Sequence, residues 1–419
     1  MRNEKYLICK TIKRFTLFSL LIAHCSLLIA QSLDFNTPPI LVSAVETAPE
    51  IGSQAAVVVD AETGTALYAK NAFDEIPPAS LAKLMTMHLV LNETKEGRAK
   101  LDDVVPISAE SWAVNQPPRS SLMFLAPGQI VTLRELMLGL AVSSGNDAAV
   151  AAALHIAPSV DDFARMMTRE ARRMGLAKTR FVEPSGISEN NITTAAEFAA
   201  FCMEYLRLHP YTLSEFHSVR EFAYPKADNV PESLRNNPRT IVQPNRNNLL
   251  GVFPGVDGLK TGYIDEAGYN IALTAQQKNT RFIAVILGAP VGPGGGRIRD
   301  RDAERLLSWG FGNFKTVHPE IPPLEPVKLW KGRDKKVSFQ INESPAFTAP
   351  LDRAVSLRYQ LRINEPLIAP LPAFYPVGWL VLADDEGELR RLQLVTAREY
   401  QQGNIFKRIW DSIRLLFVK

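Results

Sequence analysis

The sequence is poor in cysteine and histidine, with three cysteines and six histidines among 419 residues. Cys9 and Cys25 lie in the N-terminal segment, so Cys202 is the only thiol in the rest of the chain. One thiol cannot form an internal disulfide or the thiolate cluster of a structural metal site. We therefore expect no disulfide framework and no cysteine metal cluster. No metal or cofactor is predicted for this chain.

The sequence also lacks a strong excess of charge of one sign, since 47 Lys and Arg residues stand against 44 Asp and Glu residues. Five of the basic residues fall within residues 1–30, and removal of that segment leaves the chain close to neutral. Nucleic-acid-binding domains carry a basic patch or stripe that attracts phosphate. Because no such stripe remains, no nucleic-acid partner is expected.

Residues 1–30 have the pattern of a signal peptide. A basic start precedes an apolar run from Phe15 to Ala30, which is the order of the two regions in an export signal. We predict cleavage after Ala30, with an uncleaved N-terminal anchor as the alternative. Residues 31–50 contain prolines, lack clear periodicity and predict a linker. Export without a cysteine framework indicates a protein of the bacterial envelope.

Strand patterns stand at both ends of residues 51–315, with helical patterns between them. The strands are predicted at Ala55–Asp60, Thr65–Lys70, Tyr269–Ala275 and Arg281–Gly288. The helices are predicted at Leu133–Leu140, Ala148–His155, Val160–Met174, Ala195–Arg207 and Arg299–Gly310. This order predicts an α/β fold, more closely α+β, in which helices flank an antiparallel sheet and an inserted helical subdomain carries the middle of the chain.

The composition changes near residue 315. Residues 316–401 hold a proline-rich linker and then short β-type runs separated by turns, which predicts a small all-β domain. This region contains no cluster of catalytic side chains, so we expect it to act as a spacer or in partner contact.

Residues 402–419 predict an amphipathic helix. Ile405, Phe406 and Trp410 fall on its apolar face, opposite basic residues such as Lys407 and Arg408. The segment is too short and too charged to span a bilayer, but it suits the plane of a membrane surface. We expect a periplasmic protein attached to the outer face of the cytoplasmic membrane. The alternative is an ordinary helix that packs on its own protein.

The stretch from Pro77 to Thr86, PPASLAKLMT, places a serine and a lysine at the start of a predicted helix. Two prolines fit just ahead of a helix, and apolar residues recur at mostly helical spacing from Ser80 to about Asn92. Lys83 is nearly one turn beyond Ser80, so its amine projects on the same face as the serine hydroxyl. A lysine desolvated by an apolar wall has a lowered pKa and can take the proton of a serine. The alternative for this short pattern is an N-cap serine with a solvated lysine.

Two further triplets follow in the chain. Ser144–Asn146, Ser-Gly-Asn, is predicted in a loop between two apolar helices, and Lys260–Gly262, Lys-Thr-Gly, leads into the later strands. Each alone has a structural alternative, such as Asn146 capping a helix or Gly262 permitting a close turn. In this order, however, the three motifs resemble the set found in β-lactamases and penicillin-binding proteins, in which the middle member is Ser-Asp-Asn. The combination favours catalytic acyl transfer over coincidence.

Acyl transfer through a covalent intermediate requires a nucleophile, a base, a proton carrier to the leaving amine and donors for the oxyanion. We predict that Ser80 is the nucleophile and Lys83 its base. Ser144 is expected to relay a proton to the departing amine. Asn146 is expected to hold the substrate amide and to orient Lys83.

The Lys-Thr-Gly triplet is predicted to bind substrate. Lys260 adds a second positive charge, which keeps Lys83 neutral and attracts a carboxylate. Thr261 can hydrogen-bond that carboxylate, and Gly262 allows an extended substrate to lie against the strand.

The sequence resembles the low-molecular-mass penicillin-binding proteins that are serine D-alanyl-D-alanine carboxypeptidases. The resemblance includes PPASLAKLMT, SSGNDAAVA, VDGLKTGYIDEAGYNIA, RDRDAERLLSWGFGNF, the β-rich tail and GNIFKRIWDSIRLLF. It implies a fold of the serine β-lactamase/transpeptidase type. It also implies removal of the terminal D-alanine from peptidoglycan stem peptides that end in D-Ala-D-Ala, and acylation by β-lactam antibiotics.

The resemblance implies roles for further residues. The backbone N–H groups of Ser80 and Tyr263 would form the oxyanion hole, and Arg299 would help to hold the substrate carboxylate. Asn191–Thr194 departs from the His-x-Ser-Thr found in many relatives, which concerns that loop rather than the core chemistry.

Three other functions remain open at this point. A serine β-lactamase shares the motifs, but the class A type needs a Glu that activates water, and the segments around Glu183 and Glu189 match its Glu-x-x-Leu-Asn pattern poorly. A membrane-tethered wall-binding scaffold would not need every catalytic position filled. An acyl transferase that cross-links stem peptides is the third alternative.

Overall fold

The computed structural model describes residues 48–353 and 355–417. These residues form two compact units, and the chain passes from the first to the second between Gly312 and Asn313. The predicted signal peptide and residues 31–47 of the predicted linker lie outside the described residues.

The first unit combines helices with antiparallel strands. Its strands, in chain order, are β1 (Ala55–Asp60), β2 (Ala66–Lys70), β3 (Val104–Val105), β4 (Val131–Thr132), β5 (Glu221–Tyr224), β6 (Ile241–Pro244), β7 (Val256–Ile264), β8 (Gly268–Gln277) and β9 (Thr280–Ala289). Its helices are α1 (Ala82–Lys95), α2 (Leu133–Leu138), α3 (Asn146–Ile156), α4 (Val160–Arg173), α5 (Ala195–Leu208) and α6 (Gly295–Asn313).

Five of these strands form the main sheet, in the order β2-β1-β9-β8-β7, and every neighbouring pair is antiparallel. The residues of β1 are buried on both faces, because α5 packs against β1 and β9 on one side and α6 covers the other side near Phe282. Burial on both faces explains the nearly continuous apolar sequence of β1 and β9. The prediction of an antiparallel sheet flanked by helices is confirmed.

The main sheet contains one strand that was not predicted, β7, which lies earlier in the chain than the predicted strand at Tyr269–Ala275. Its edge strand β7 begins at Val256, so Lys260–Gly262 lies inside a strand rather than ahead of one. Two glycines and a lysine weaken the local strand pattern of this segment. Pairing of β7 with β8 from Val256 to Ile264 overrides that weakness.

Helix α6 also begins earlier than predicted, at Gly295 rather than near Arg299. Because glycine has low helix propensity, the start predicted from the sequence was too late. The structure gives the reason for the glycine: a β-carbon at Gly295 would lie 1.8 Å from the carbonyl oxygen of Pro290 and 2.7 Å from the Tyr269 ring.

Helix α1 runs through the middle of the helical part of this unit. Its first ten residues, Ala82 to Leu91, are all buried. The helix begins at Ala82 rather than at Ser80, because residues Ala79–Leu81 form a single 3-10 turn before it. Burial on all sides means that any polar side chain at the start of α1, Lys83 included, is removed from water.

The second unit is built mainly of strands. They are β10 (Phe314–Val317), β11 (Val327–Trp330), β12 (Lys336–Val337), β13 (Phe339–Ile341), β14 (Phe347–Pro350), β15 (Arg358–Ile363), β16 (Leu367–Ile368), β17 (Pro376–Asp384) and β18 (Gly387–Thr396). The order β13-β18-β17-β15 forms an antiparallel sheet. Its buried side chains, including Leu380, Leu382 and Leu392, belong to a core of their own. The prediction of a small β domain after the α+β domain is confirmed.

The chain ends in helix α7 (Ile405–Leu415), which is attached to the second unit by a polar contact. The carboxylate of Asp411 is buried and accepts hydrogen bonds from the Lys331 backbone N–H at 2.7 Å and from the Lys407 amine at 3.1 Å. The large apolar side chains of this segment stay exposed: Ile405, Phe406, Ile409, Trp410, Ile413, Leu416 and Phe417. Within the described part of the chain, no helix is both long enough and apolar enough to cross a bilayer.

Candidate active site

Ser80 is presented by a sharp turn. Ala79, the residue before it, has a φ of +50°, a left-handed conformation that costs an L-residue about 1–2 kcal/mol. Such a conformation persists where the surroundings hold it. Here the Asn270 side chain on β8 donates a 2.9 Å hydrogen bond to the carbonyl oxygen of Pro77 and accepts one from the Gly288 backbone N–H. The main sheet therefore fixes the turn that carries Ser80.

Two glycines lie against this turn from different elements. A β-carbon at Gly262 on β7 would lie 2.9 Å from the Ser80 nitrogen and 3.0 Å from the Pro78 carbonyl oxygen. A β-carbon at Gly186, whose φ is +81°, would lie 1.9 Å from the Ala79 carbonyl oxygen. Both positions therefore require glycine. Close approach of β7 brings the Lys-Thr-Gly triplet beside the Ser80 backbone.

The amine of Lys83 stands at the centre of the site. It lies 3.0 Å from the Ser80 hydroxyl oxygen, 2.7 Å from the Asn146 side-chain oxygen and 2.5 Å from the Ser185 carbonyl oxygen. A neutral amine has two N–H donors and one lone pair. Because Asn146 and Ser185 each present an oxygen that only accepts, they take the two donors. The lone pair is then left for the Ser80 hydroxyl.

The electrostatic surroundings favour this neutral form. Burial lowers the pKa of Lys83 to about 7, although the negative charges of Glu183 and Asp147 act in the opposite direction. A base is most effective when its pKa lies near the working pH. The position and the pKa of Lys83 therefore suit a base for Ser80, and that role remains a prediction.

The Ser-Gly-Asn triplet is held where α3 begins. Ser144 is buried and left-handed, with a φ of +61°, and Asn146 is the first residue of α3. The Asn146 amide donates to the Ser120 hydroxyl at 3.0 Å while its oxygen accepts from Lys83. Among the described residues, no hydrogen bond joins the Ser144 hydroxyl to Ser80 or Lys83. The expected proton relay through Ser144 therefore remains a prediction.

Asp147, the residue after the triplet, anchors the segment that contains Ser120. Its carboxylate accepts the backbone N–H groups of Met123 and Phe124 at 2.8 Å, and that of Leu125 at 3.0 Å. These bonds fix one wall of the site to the start of α3.

Lys260 and Thr261 are both buried within β7. The Lys260 amine donates to the Thr261 carbonyl oxygen at 2.9 Å. Burial lowers the pKa of Lys260, and the positive charges of Lys83, Arg246 and Arg299 lower it further. Arg299 is itself buried and pairs with Asp300 at 2.5 Å. The guanidinium groups of Arg246 and Arg299 near Lys260 suit the binding of an anion such as a carboxylate.

Tyr263 continues β7 beyond Gly262. Its hydroxyl donates to the Asp265 carboxylate at 2.5 Å, and its ring lies 4.3 Å from that of Tyr269, centroid to centroid. The hydrogen bond to Asp265 raises the pKa of Tyr263 to about 12, so the phenol stays protonated. The oxyanion role of its backbone N–H remains a prediction.

Glu183 organises the loop that supplies the Ser185 carbonyl. Its carboxylate accepts the backbone N–H groups of Ser185 and Gly186, each at 2.7 Å, and the Asn191 side-chain amide at 2.6 Å. A carboxylate occupied in this way supports the loop rather than activating a water. The departure at Asn191 noted in the sequence therefore lies in a loop contact.

Sequence reasoning did not identify several residues that position the site: Ser120, Asp147, Glu183, Ser185, Gly186 and Asn270. Except for the bonds of Glu183 within its own loop, their contacts join distant parts of the chain, and none belongs to a short motif. Asp147, directly after the Ser-Gly-Asn triplet, is the one that its position could have suggested. Within the described residues, no group of three or more His, Cys, Asp or Glu side chains is placed to hold a metal ion.

The sequence matches known proteins over most of its length. The family model of peptidase S11, described as D-alanyl-D-alanine carboxypeptidase, matches residues 42–291. The D-alanyl-D-alanine carboxypeptidase DacC of Escherichia coli is 32% identical over 377 residues, which cover 88% of this chain and 90% of that protein. These relatives support the carboxypeptidase prediction and not the β-lactamase or scaffold alternatives.

Solved structures give the same result. Penicillin-binding protein 5 of Haemophilus influenzae has a TM-score of 0.74 and 31% identity, covering 85% of this chain and all of that one. Penicillin-binding protein D2 of Listeria monocytogenes, solved in an ampicillin-bound form, has a TM-score of 0.53 and 28% identity, and covers 63% of this chain and 100% of that one. They confirm the predicted fold of the serine β-lactamase/transpeptidase type. With a family match across more than half of its length, the chain belongs to the peptidase S11 family of D-alanyl-D-alanine carboxypeptidases.

Proposed function

We propose that the chain removes the terminal D-alanine from peptidoglycan stem peptides that end in D-Ala-D-Ala, through an acyl-enzyme on Ser80. The observation that carries this proposal is the contact of the buried Lys83 amine with the Ser80 hydroxyl at 3.0 Å. Family membership supports the reaction, and the contact supports the assignment of nucleophile and base.

In the first step, the Ser80 oxygen attacks the carbonyl carbon of the penultimate D-alanine while Lys83 takes the hydroxyl proton. The negative charge that develops on the carbonyl oxygen is stabilised by the backbone N–H groups of Ser80 and Tyr263. The C–N bond then breaks, and the proton passes from Lys83 by way of Ser144 to the departing amine. Terminal D-alanine leaves, and the rest of the peptide remains as an ester on Ser80.

In the second step, water attacks the ester carbonyl carbon and gives a proton to Lys83. The bond to the Ser80 oxygen breaks, the oxygen regains a proton from Lys83, and the shortened peptide leaves as a carboxylate. Asn146 holds Lys83 in place through both steps, because its side-chain oxygen accepts from the amine at 2.7 Å.

Substrate recognition is proposed along β7. The free carboxylate of the terminal D-alanine would lie among Lys260, Thr261 and Arg299, where positive charge is concentrated. The extended peptide would pair with β7 at Gly262, because β7 is an edge strand and the glycine lets it lie close to the Ser80 turn. A β-lactam carboxylate would use the same groups, and the ampicillin-bound form of a relative supports binding of such a drug.

The experiment is release of D-alanine from a pentapeptide ending in D-Ala-D-Ala by the purified full chain, with the Ser80→Ala variant beside it. We expect release by the natural protein, no release by the variant, and labelling of the natural protein alone by a fluorescent penicillin. Labelling of the variant would move the nucleophile elsewhere. Rapid penicillin turnover without peptide cleavage would indicate a β-lactamase, and wall binding with neither reaction would indicate a scaffold.

We also propose that the chain is exported and lies on the outer face of the cytoplasmic membrane. The exposed apolar side chains of α7 and its basic residues, among them Arg408 and Arg414, support a membrane-surface role for residues 402–419. We propose that residues 51–315 catalyse the reaction, that residues 316–401 act as a spacer, and that the terminal helix attaches the protein to the membrane. No nucleic-acid partner is proposed.

A further inference from the structure

Arg119 and Asp265 form an ion pair at one end of the proposed active site. The Arg119 guanidinium lies 3.2 Å from the Asp265 carboxylate, although 146 residues separate them. Arg119 directly precedes Ser120, the partner of Asn146. Asp265 follows the last residue of β7. The pair therefore joins the wall that carries Ser-Gly-Asn to the wall that carries Lys-Thr-Gly.

Each member of the pair is held by its own wall. The Asn146 backbone N–H donates to the Ser121 carbonyl oxygen at 2.8 Å, next to Arg119, whose own φ is +69°. On the other side, the Tyr263 hydroxyl donates to Asp265 at 2.5 Å. The backbone at Arg119 and the carboxylate of Asp265 are thus each held independently of the contact between the two side chains.

The bond between the two side chains contributes little to stability. The side chains of Arg119 and Asp265 are 78% and 52% exposed, and exposed pairs of this kind add little because water and salt screen them. A ligand can therefore replace the bond at small cost. The exposed Glu266 adds a second carboxylate to the same turn.

The register of a peptide on β7 brings its third-from-last residue to this pair. If the terminal carboxylate lies at Lys260 and Thr261, the reacting carbonyl lies beside Gly262 and Tyr263. Each further residue of an extended chain advances about 3.3 Å. The residue before the two D-alanines then lies beside Ile264 and Asp265, with its side chain within reach of both charges.

We infer that Arg119 and Asp265 bind the charged end of the side chain that precedes D-Ala-D-Ala, and that they favour an end carrying both an ammonium and a carboxylate group. Asp265 takes the ammonium group, with Glu266 adding to the negative potential, and Arg119 takes the carboxylate in the planar geometry that guanidinium groups provide. The inference rests on the proposed function and adds a specificity for the third residue of the stem.

The test compares three peptides that end in D-Ala-D-Ala and differ only in the preceding side chain: an ε-carboxylated lysine analogue with both charges, lysine, and acetyl-lysine. For the full natural chain we expect kcat/KM to fall in that order, by about two- to fivefold at each step. Arg119→Ala should remove the preference for the doubly charged peptide over lysine. Asp265→Asn, whose amide oxygen still accepts from Tyr263, should remove the preference for lysine over acetyl-lysine.

Arg207→Ala is the matched control, because Arg207 is an exposed arginine paired with Glu204 within α5. It should leave all three ratios as in the natural chain. Equal kcat/KM for the three peptides would overturn this inference and leave the carboxypeptidase proposal standing. No cleavage of any of the peptides would overturn both. Ratios unchanged in both site variants would also overturn the assignment to this pair.

Discussion

The backbone carbonyl oxygen of Ser185 accepts a 2.5 Å hydrogen bond from the amine of Lys83, across 102 residues of sequence. Because the acceptor belongs to the backbone, the bond does not depend on the identity of the Ser185 side chain. It uses one N–H of the amine, and Asn146 uses the other. The orientation of the Lys83 lone pair towards Ser80 is thus set by two acceptors from separate loops, and this arrangement leads to the first two predictions.

Replacement of Lys83 by methionine should abolish acylation while the fold is kept. Methionine has a similar length and no charge, so it fits a buried apolar wall. Loss of a general base lowers a rate by about 10²–10⁴-fold. The measurement is the second-order rate of labelling by a fluorescent penicillin. Lys95→Met, at the exposed end of the same helix, is the control, and labelling of the Lys83 variant at the natural rate would remove Lys83 from the role of base.

The rate of acylation should rise with pH and level off above neutrality. The pKa of Lys83 is lowered to about 7, and only the neutral amine can accept the Ser80 proton. Below that pKa the neutral fraction falls by about tenfold for each pH unit, so the rate falls with it. Penicillin labelling from about pH 5 to about pH 9, with thermal unfolding at each pH as a check of the fold, measures this. A rate independent of pH would contradict the assignment.

Gly262→Ala should impair acylation without unfolding the protein. The added methyl group would lie 2.9 Å from the Ser80 nitrogen, so it would shift the Ser80 turn or β7. Overpacking of this kind costs about 1–3 kcal/mol, and displacement of one oxyanion donor lowers a rate by about 10²–10³-fold. Rates of penicillin labelling and chemical denaturation separate the two effects. Gly312→Ala, where nothing lies within 4 Å of the new carbon, should leave the labelling rate unchanged and should not lower stability. A fully active Gly262 variant would show that β7 does not press on the turn.

Asp147→Asn should destabilise the first unit. Four backbone N–H groups, including that of Ala148, donate to this carboxylate, and an amide offers one oxygen in place of two. We expect the free energy of unfolding to fall by about 2–4 kcal/mol, as measured by denaturant titration. Asp74→Asn, at an exposed carboxylate, is the comparison. Equal stability of the two variants would mean that the segment containing Ser120 is held by other contacts.

Membrane attachment should depend on the apolar face of α7. Phe406 and Trp410 are 80% and 62% exposed, and each large apolar side chain gains about 1.5–3 kcal/mol on leaving water. Replacing both by aspartate should weaken binding to anionic phospholipid vesicles by about 100-fold or more. The control adds the same charges outside the helix, as Gln401→Asp with Gln402→Asp. Vesicle binding that survives the first pair would assign attachment to another part of the chain.

The sequence predicted the parts of the fold that follow from local pattern. The apolar strands β1 and β9 and the helix around Lys83 carry clear periodicity, and the structure contains them with small shifts at their ends. The strand β7 lacks that periodicity because its glycines serve close contacts instead of packing. The start of α6 was missed for the same reason, since Gly295 is required by a neighbouring carbonyl group rather than by the helix.

Site residues could be predicted only where they belong to short sequence motifs. Ser80, Lys83 and Asn146 were found in this way, and the structure brings the three side chains into one hydrogen-bonded group. Ser185 contributes a backbone carbonyl, and Asn270 supports a proline 193 residues away. Neither kind of contact leaves a local sequence signal. The positive charge of Arg299 lowers the pKa of Lys260. Contact of Arg299 with a substrate carboxylate stays a prediction.

The two glycines that press on the Ser80 turn also limit how this enzyme can become resistant. An added methyl group at Gly186 or Gly262 would overlap the backbone that carries the nucleophile, so it would harm the natural substrate together with the drug. Substitutions at these two positions should therefore rarely give resistance to penicillin. Tolerated substitutions should lie farther from Ser80, at the rim of the crevice, where peptide and drug differ in shape.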